Sequence, residues 1–397
     1  MMLVYLDNNA TTPLDERVYE AMCPWLKSTY GNPSSVHSFG RKARAALDQA
    51  REQVAALVNA HPSQVIFTSG GTEANNFALK AVSLTPASRI AVSAIEHASV
   101  LGPALNLSEQ GCQLDKLPVN FQGQVEPIIS LPPETQLVSV MWANNEMGAV
   151  QTVTHFSALC RERGIIFHTD ASQAVGKIPV DFAASGAHLM SFSGHKFHAP
   201  QGVGVLVTDK FNELEPLLHG GGQEKGLRGG TEPVAALVGL GKAAELALQE
   251  LPQRHQKMLA LRNALENAVR PLDGVHIVAE QAARLPNTVM LTVAGFTGET
   301  LVMELDRGGI AVSSGSACHS AHAEPSHVLL AMGYTPEQAK TAIRISFSAQ
   351  NTLEDIEIFV QALKKQLDNF RSFAAMQGCF NPYSTCRVTK LSTDRSR

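Results

Sequence analysis

Short apolar runs at Val65–Thr68, 89–95, 137–142, 165–169, Leu189–Ser193 and 203–208 alternate with helix-like segments or turn clusters. Runs that are hydrophobic throughout, instead of alternating with polar residues, mark strands buried on both faces; such strands belong to sheets whose two faces are covered by helices. The pattern therefore predicts an α/β architecture built on a mostly parallel sheet. Ahead of these runs, 14–60 reads as helical, with Ala43, Leu47, Ala50, Val54, Leu57 and Val58 at helical spacing among Arg41, Arg44, Asp48, Arg51 and Glu52. Beyond a glycine-rich loop at 219–231, amphipathic helices are predicted over 234–270, strands at 275–279, Thr288–Val293, 310–313 and 343–347, and a closing helix over 353–371. At 397 residues the chain exceeds the usual single-domain size. The expected division is a large domain over 14–250 and a smaller α+β domain over 251–371 that also takes in 1–13. Residues 372–397, where hydrophobic periodicity fades and Asp394 is the lone acid, read as a flexible tail, with a docking segment for a partner as the alternative.

A net charge of -4 gives no electrostatic reason to expect nucleic acid or an anionic membrane as a partner. The N-terminal residues show neither a basic leader nor a long apolar stretch, so the cytoplasm is the simplest address. Cys23, Cys112, Cys160, Cys318, Cys379 and Cys386 form no Cys-x-x-Cys pair, which disfavours a disulfide framework and a four-thiolate zinc site.

Two polar residues stand just past apolar runs, Asp170 after 165–169 and Lys196 after Leu189–Ser193. Ligands of open α/β sheets collect at the carboxyl ends of strands. A carboxylate and an amine presented there match the needs of pyridoxal phosphate: a partner for the pyridinium nitrogen and a lysine for the Schiff base. Each has a plainer reading, Asp170 as a helix N-cap and Lys196 as a surface lysine. Gln173, three residues after Asp170, could donate to the cofactor phenolate, and an apolar setting for Lys196 would favour its neutral, nucleophilic amine. The turn Ser69, Gly70, Gly71, Thr72 after Val65–Thr68 offers backbone N–H groups and a hydroxyl to a phosphate, with Ser193 and His195 within reach of the same group. His97 follows a strand and either is structural or stacks on a planar ring and exchanges protons. Cys318, in a loop of small residues, either is an inert thiol or is an accessible, reactive one; His319, His322 and His327 nearby leave a metal alternative open.

These motifs resemble those of the cysteine desulfurases, pyridoxal-phosphate enzymes of the class V aminotransferase group. The likeness runs from Tyr5 to Arg371 through YLDNNATT at 5–12, GNPSS at 31–35, GTE at 71–73, NNE at 144–146, HTDASQ at 168–173, SGHK at 193–196, RGGT at 228–231 and SSGSAC at 313–318. WANN at 142–145 and HKFHAP at 195–200 are more similar to the nitrogen-fixation branch than to the housekeeping one. The resemblance implies the type I fold of pyridoxal-phosphate aminotransferases, with Lys196 as Schiff-base lysine, Asp170 at the pyridine nitrogen, Gln173 at the phenolic oxygen and His97 over the ring. It implies Gly71, Thr72, Ser193 and His195 at the phosphate, Asn145 beside the cofactor, and Asn145 with Arg344 on the substrate carboxylate. Thr231 would reach the phosphate of the neighbouring subunit, which makes a homodimer. The implied activity converts L-cysteine to L-alanine and leaves a persulfide on Cys318, carried by a mobile loop to a sulfur acceptor or iron-sulfur scaffold protein; Cys318 could also serve as a transient iron-sulfur ligand. No metal is expected as a catalytic cofactor. His319 stands where the family usually has threonine, and with His322 it is expected to tune the Cys318 thiolate. A selenocysteine lyase, another lyase or aminotransferase of the class, and a non-catalytic sulfur or iron-sulfur scaffold are the rival readings.

Overall fold

The computed structural model describes residues 3–82, 84–85, 87–126, 131–209, 214–315 and 324–376, the last four by their backbone alone. In chain order its strands are β1 (Val4–Tyr5), β2 (Val65–Thr68), β3 (Arg89–Ser93), β4 (Gln113–Leu117), β5 (Thr135–Ser139), β6 (Ile166–Asp170) and β7 (Leu189–Ser193). There follow β8 (Gly204–Thr208), β9 (Val275–Ile277), β10 (Thr288–Val293), β11 (Ile310–Ala311), β12 (Ser313–Ser314) and β13 (Ala342–Ser346).

Among the described residues the larger sheet has seven strands in the order β2-β8-β7-β6-β5-β3-β4. The pairs β7/β6, β6/β5, β5/β3 and β3/β4 are parallel, while β8 runs against both its neighbours. Because β2 and β7 both oppose β8, β2 points the same way as the parallel strands, and their carboxyl ends share one edge. Side-chain alternation sends neighbouring residues of each strand to opposite faces. Ile66, Ile90, Leu137, Leu189 and Leu206 join Phe77 and Val100 in one core. Phe67, Ala91, Val138, Met190 and Val205 join Leu47, Val54 and Leu240 in the other. The helices Gly71–Lys80 and Ala98–Glu109 thus cover one face; Ser38–Leu57 and the first turns of Val234–Val269 cover the other.

A four-stranded antiparallel sheet, β12-β13-β10-β9, carries a further core of Val289, Leu291, Ile343, Ile345, Leu301, Leu305, Phe359 and Leu363. Val4 and Leu6 belong to this core, and β1 pairs in parallel with β11, so the N-terminal residues pack beside residues three hundred positions away. Val234–Val269 is one unbroken helix of 36 residues that continues through Pro252. Its early residues Leu237, Leu240 and Ala244 lie in the large-sheet core and its late residues Leu261, Leu265 and Val269 in the small-sheet core. The 250/251 boundary expected from the sequence falls inside this helix.

Several elements differ from expectation. The 14–60 stretch is two helices, Glu16–Lys27 and Ser38–Leu57, capped by Asp15 and His37. β4 had no counterpart in the apolar-run pattern: it is the edge strand of the sheet and carries Asp115 and Lys116, with Asp115 paired to Arg89 of β3. The 310–313 strand is two short pieces, β11 on β1 and β12 on β13. No described helix is long and apolar enough to cross a membrane.

Candidate active site

At the shared carboxyl edge a cleft of about 380 Å³ opens. Its walls include Gly71, Thr72, His97, Asn145, Asp170, Gln173, Ser193, His195, Lys196 and Arg344. The structure therefore gathers in one cavity residues that the sequence spreads over 274 positions, from 71 to 344.

Asp170 ends β6, and its buried carboxylate accepts hydrogen bonds from Asn75 Nδ2 (2.7 Å) and the Ser172 N–H (2.8 Å). The N-cap reading of Asp170 is set aside by this geometry, because the turn at 172–177 that follows is not a helix. Lys196 lies in the 3-10 turn Gly194–Lys196 directly after β7, and its Nζ donates to the carbonyls of Asn9 and Ala10, each at 2.7 Å. Burial, reinforced by Arg344, pulls its pKa from 10.5 to about 8, against the opposing pull of Asp170 and Asp7. A surface lysine would not be lowered in this way. His195 faces Thr11 Oγ1 at 3.1 Å, and burial, with Lys196 and Lys177 adding, lowers its pKa to about 4, so it is neutral near pH 7.

His97 caps the helix Ala98–Glu109: its Nδ1 lies 3.1 Å from the Ser99 N–H and 2.7 Å from Ser99 Oγ. This fixes the imidazole plane while the residue stays exposed at the cavity. Ser99 also accepts from Asn75 Nδ2 at 2.8 Å, so one amide ties the His97 cap to the Asp170 carboxylate.

The turn into Gly71–Lys80 has no side-chain cap, which leaves its first N–H groups available to an anion. Glu73 in that first turn is drawn aside: it accepts from the Ser69 N–H and pairs with Arg228 at 2.9 Å. A Cβ on Gly71 would meet Ser172 Oγ and Ser193 Cβ at 3.3 Å, and one on Gly204 of β8 would come within 2.4 Å of the Gly70 carbonyl carbon. Glycine at both places lets backbone, not side chain, form the floor of this end of the cleft.

Opposite stands Arg344 of β13, whose Nη2 donates to Asp7 Oδ1 (2.7 Å) and Nη1 to the Asn145 carbonyl (3.1 Å). Its Nε is buried with no hydrogen-bond partner among the described residues. Asn144 shapes the turn at 145–147 that carries Asn145, its Oδ1 accepting from the Glu146 and Met147 N–H groups.

Thr231 is not on this cavity. It is exposed and lines a smaller cleft of about 190 Å³ with Thr68, Ser69 and Glu232. Cys318, His319, His322, Cys379 and Cys386 lie outside the described residues. Among the described residues on either side of 316–323, Ser313 of β12 pairs with Arg344, and Ser326 and His327 follow on the far side. Ser326 Oγ donates to Glu146 Oε2 at 2.5 Å, and His327 Nε2 is 3.0 Å from the Glu96 carbonyl. Ser313, Ser326 and His327 thus adjoin residues of the cleft or its immediate support.

Asn9, Asn75, Ser99 and Lys177 were not singled out as site residues from the sequence. Asn9 and Asn75 sit inside quoted or adjoining motifs, which was a signal; Ser99 and Lys177 carried none.

The donor set suits pyridoxal phosphate. A held carboxylate, a depressed lysine, an aromatic cap, an amide at Gln173 and an N-terminal phosphate cradle line one cavity, with a guanidinium across from them. The sequence matches the aminotransferase class-V family over residues 4–359. It is 42% identical over 378 residues to cysteine desulfurase IscS of Dictyoglomus turgidum, covering 94% of this chain and 96% of that one. A solved structure described as a NifS-like protein superposes with a TM-score of 0.86 at 37% identity, covering 92% of this chain and 100% of the other. SspA in complex with cysteine superposes at 0.78 and 32% identity, covering 87% and 98%.

Proposed function

The chain belongs to the aminotransferase class-V family, and from that premise we propose that it is a pyridoxal-phosphate-dependent cysteine desulfurase that forms L-alanine and supplies sulfur for iron-sulfur assembly. The observation that carries the reading is the convergence of Asp170, Lys196 and Arg344 on a single cleft at the carboxyl edge of the sheet.

Asp170, fixed by Asn75 and Ser172, would face the pyridine nitrogen and hold a proton there. Lys196 would anchor the cofactor and, once displaced by substrate, stand ready to move a proton at the substrate Cα, a task suited to an amine with a pKa of about 8. Gly71, Thr72, Ser193 and His195 would hold the phosphate, Gln173 the phenolic oxygen, and His97 would cover the ring. The bound cofactor supplies an electron sink for the pair left at Cα when its proton departs. Arg344 would grip the substrate carboxylate with Asn145, its unpartnered Nε offering a donor that Asp7 does not occupy. The Cys318 thiolate would then attack the substrate sulfur. An S–S bond forms as the C–S bond breaks, leaving a persulfide and, after protonation, alanine.

On this reading 14–250 carries the cofactor and 251–371 with 1–13 contributes the carboxylate grip. The enzyme acts in the cytoplasm as a homodimer in which Thr231 reaches the partner's phosphate, and a sulfur-acceptor or scaffold protein takes the sulfur. The test is turnover of L-cysteine with added pyridoxal phosphate, measuring alanine and protein persulfide in the wild type and in Cys318→Ala. Loss of both products in the variant is expected. Alanine formation undiminished by the substitution would remove Cys318 from the chemistry and favour a selenocysteine-lyase-type reaction.

A further inference from the structure

Behind the wall of the cleft lies Lys177, buried at 4% exposure in the turn that follows β6. A buried ammonium with no counter-charge is costly, and among the described residues no carboxylate lies within ion-pair distance of this one. Its Nζ instead donates to two neutral oxygens, Gln173 Oε1 at 2.5 Å and Asn9 Oδ1 at 2.9 Å. Burial first, then repulsion from Lys196 and Arg344, pulls its pKa well below the ordinary lysine value, and it in turn lowers those of His195 and His198. An apolar side chain of similar length would fill the space without this penalty, so the amine is doing something packing does not require.

The hydrogen bonds show what. With its N–H groups donating to Gln173 Oε1 and Asn9 Oδ1, Lys177 keeps that amide oxygen turned inward and leaves the NH2 on the side of the cavity. One N–H of that group donates to the Asn9 carbonyl at 3.1 Å, the same carbonyl that accepts from Lys196 Nζ at 2.7 Å. The other remains for a ligand in the cleft, whose wall Gln173 forms. Asn9 is held at its far end too: its Oδ1 also accepts from Asn287 Nδ2 (3.0 Å), and its Nδ2 donates to Thr288 Oγ1 (2.9 Å) and to the Asn145 carbonyl (3.1 Å).

We infer that Lys177 is a positioning residue that locks the Gln173 amide as a hydrogen-bond donor toward the phenolic oxygen of the cofactor and holds the Asn9 carbonyl against Lys196. Without it the amide is free to turn over and present its oxygen to another oxygen. The inference rests on the cofactor assignment made above and deepens it.

The experiment is a spectral pH titration of the cofactor-loaded protein, following the visible band. Donation from Gln173 stabilises the phenolate, so its loss lets the protonated chromophore persist to higher pH. Lys177→Met is expected to raise the band's apparent pKa by about one unit. In a Gln173→Leu background, where no amide is left to orient, the same substitution is expected to add no further shift. A shift of equal size in both backgrounds, or no shift in Lys177→Met, overturns the inference. If Lys177→Met does not accumulate as folded protein, Lys177→Gln serves, with a smaller upward shift that Gln173→Leu again abolishes; an uncoupled shift there is equally fatal. Absence of any visible band in the wild type refutes the cofactor assignment itself, whereas a normal band with no coupling refutes only the role of Lys177.

Discussion

The amine of Lys196 offers a direct quantitative check, because its acidity is set by neighbours that can be removed one at a time. Burial is the larger cause of its depression from 10.5 to about 8, and the Arg344 guanidinium is the second. At pH 7.5 a lysine with a pKa of about 8 is roughly one-quarter neutral, whereas one at its ordinary value is about one-thousandth neutral, a difference of about two hundred-fold in reactive amine. Cofactor-free protein should therefore show Lys196 among the first lysines modified by an amine-directed reagent at neutral pH. The rate, followed by peptide mapping, should rise with pH to a midpoint near 8. Arg344→Gln removes a cation and should move that midpoint upward. A wild-type midpoint near pH 10, or a downward move in Arg344→Gln, would refute the electrostatic account. The sign for stability follows from the same depression. Between pH 8 and 10.5 the unfolded chain still holds a proton the native Lys196 has lost, so this group's contribution to stability rises as pH climbs through that window.

Asp7 acts on Lys196 in the opposite sense, so Asp7→Asn should lower the labelling midpoint below that of the wild type; an unchanged midpoint would show that Asp7, paired with Arg344 at 2.7 Å, is not electrically connected to the amine, and an upward shift would reverse the assigned sign. Gly204→Ala would force a Cβ to within 2.4 Å of the Gly70 carbonyl carbon. The expected cost is about 1–3 kcal/mol in urea unfolding, together with weaker retention of pyridoxal phosphate as the phosphate turn is pushed aside. An unchanged unfolding midpoint would mean that the turn relaxes without strain.

Much of this arrangement could be read from the chain before any coordinates. The strands β2, β7 and β10 are runs of residues buried along their whole length, and nothing but a covered strand explains so much apolar surface in so few positions. The placement of Asp170, Lys196 and His97 was legible for a related reason: each lies at, or within four residues of, the carboxyl end of a buried strand, where the sheet must present it at an edge. What escaped notice is equally physical. β4 borrows its place from β3 on one side only, so Gln113, Asp115 and Lys116 stay polar and leave no apolar signature. Pro252 suggests an interruption that the helix does not make. Lys177 and Asn9 work through hydrogen bonds between segments 168 positions apart, and no periodicity encodes such a meeting.

The 36-residue helix that threads both hydrophobic cores has a mechanical meaning. At 1.5 Å per residue it is a rod of about 54 Å, and a rod embedded at either end cannot act as a pivot at its middle. The seam that chain length suggests near residue 250 is therefore a girder: severing the polypeptide there would strip one core of Leu237, Leu240 and Ala244 or the other of Leu261, Leu265 and Val269. The large-sheet and small-sheet cores are in this sense beams of one frame, joined by a helix that runs unbroken across the place where a swivel would have to sit.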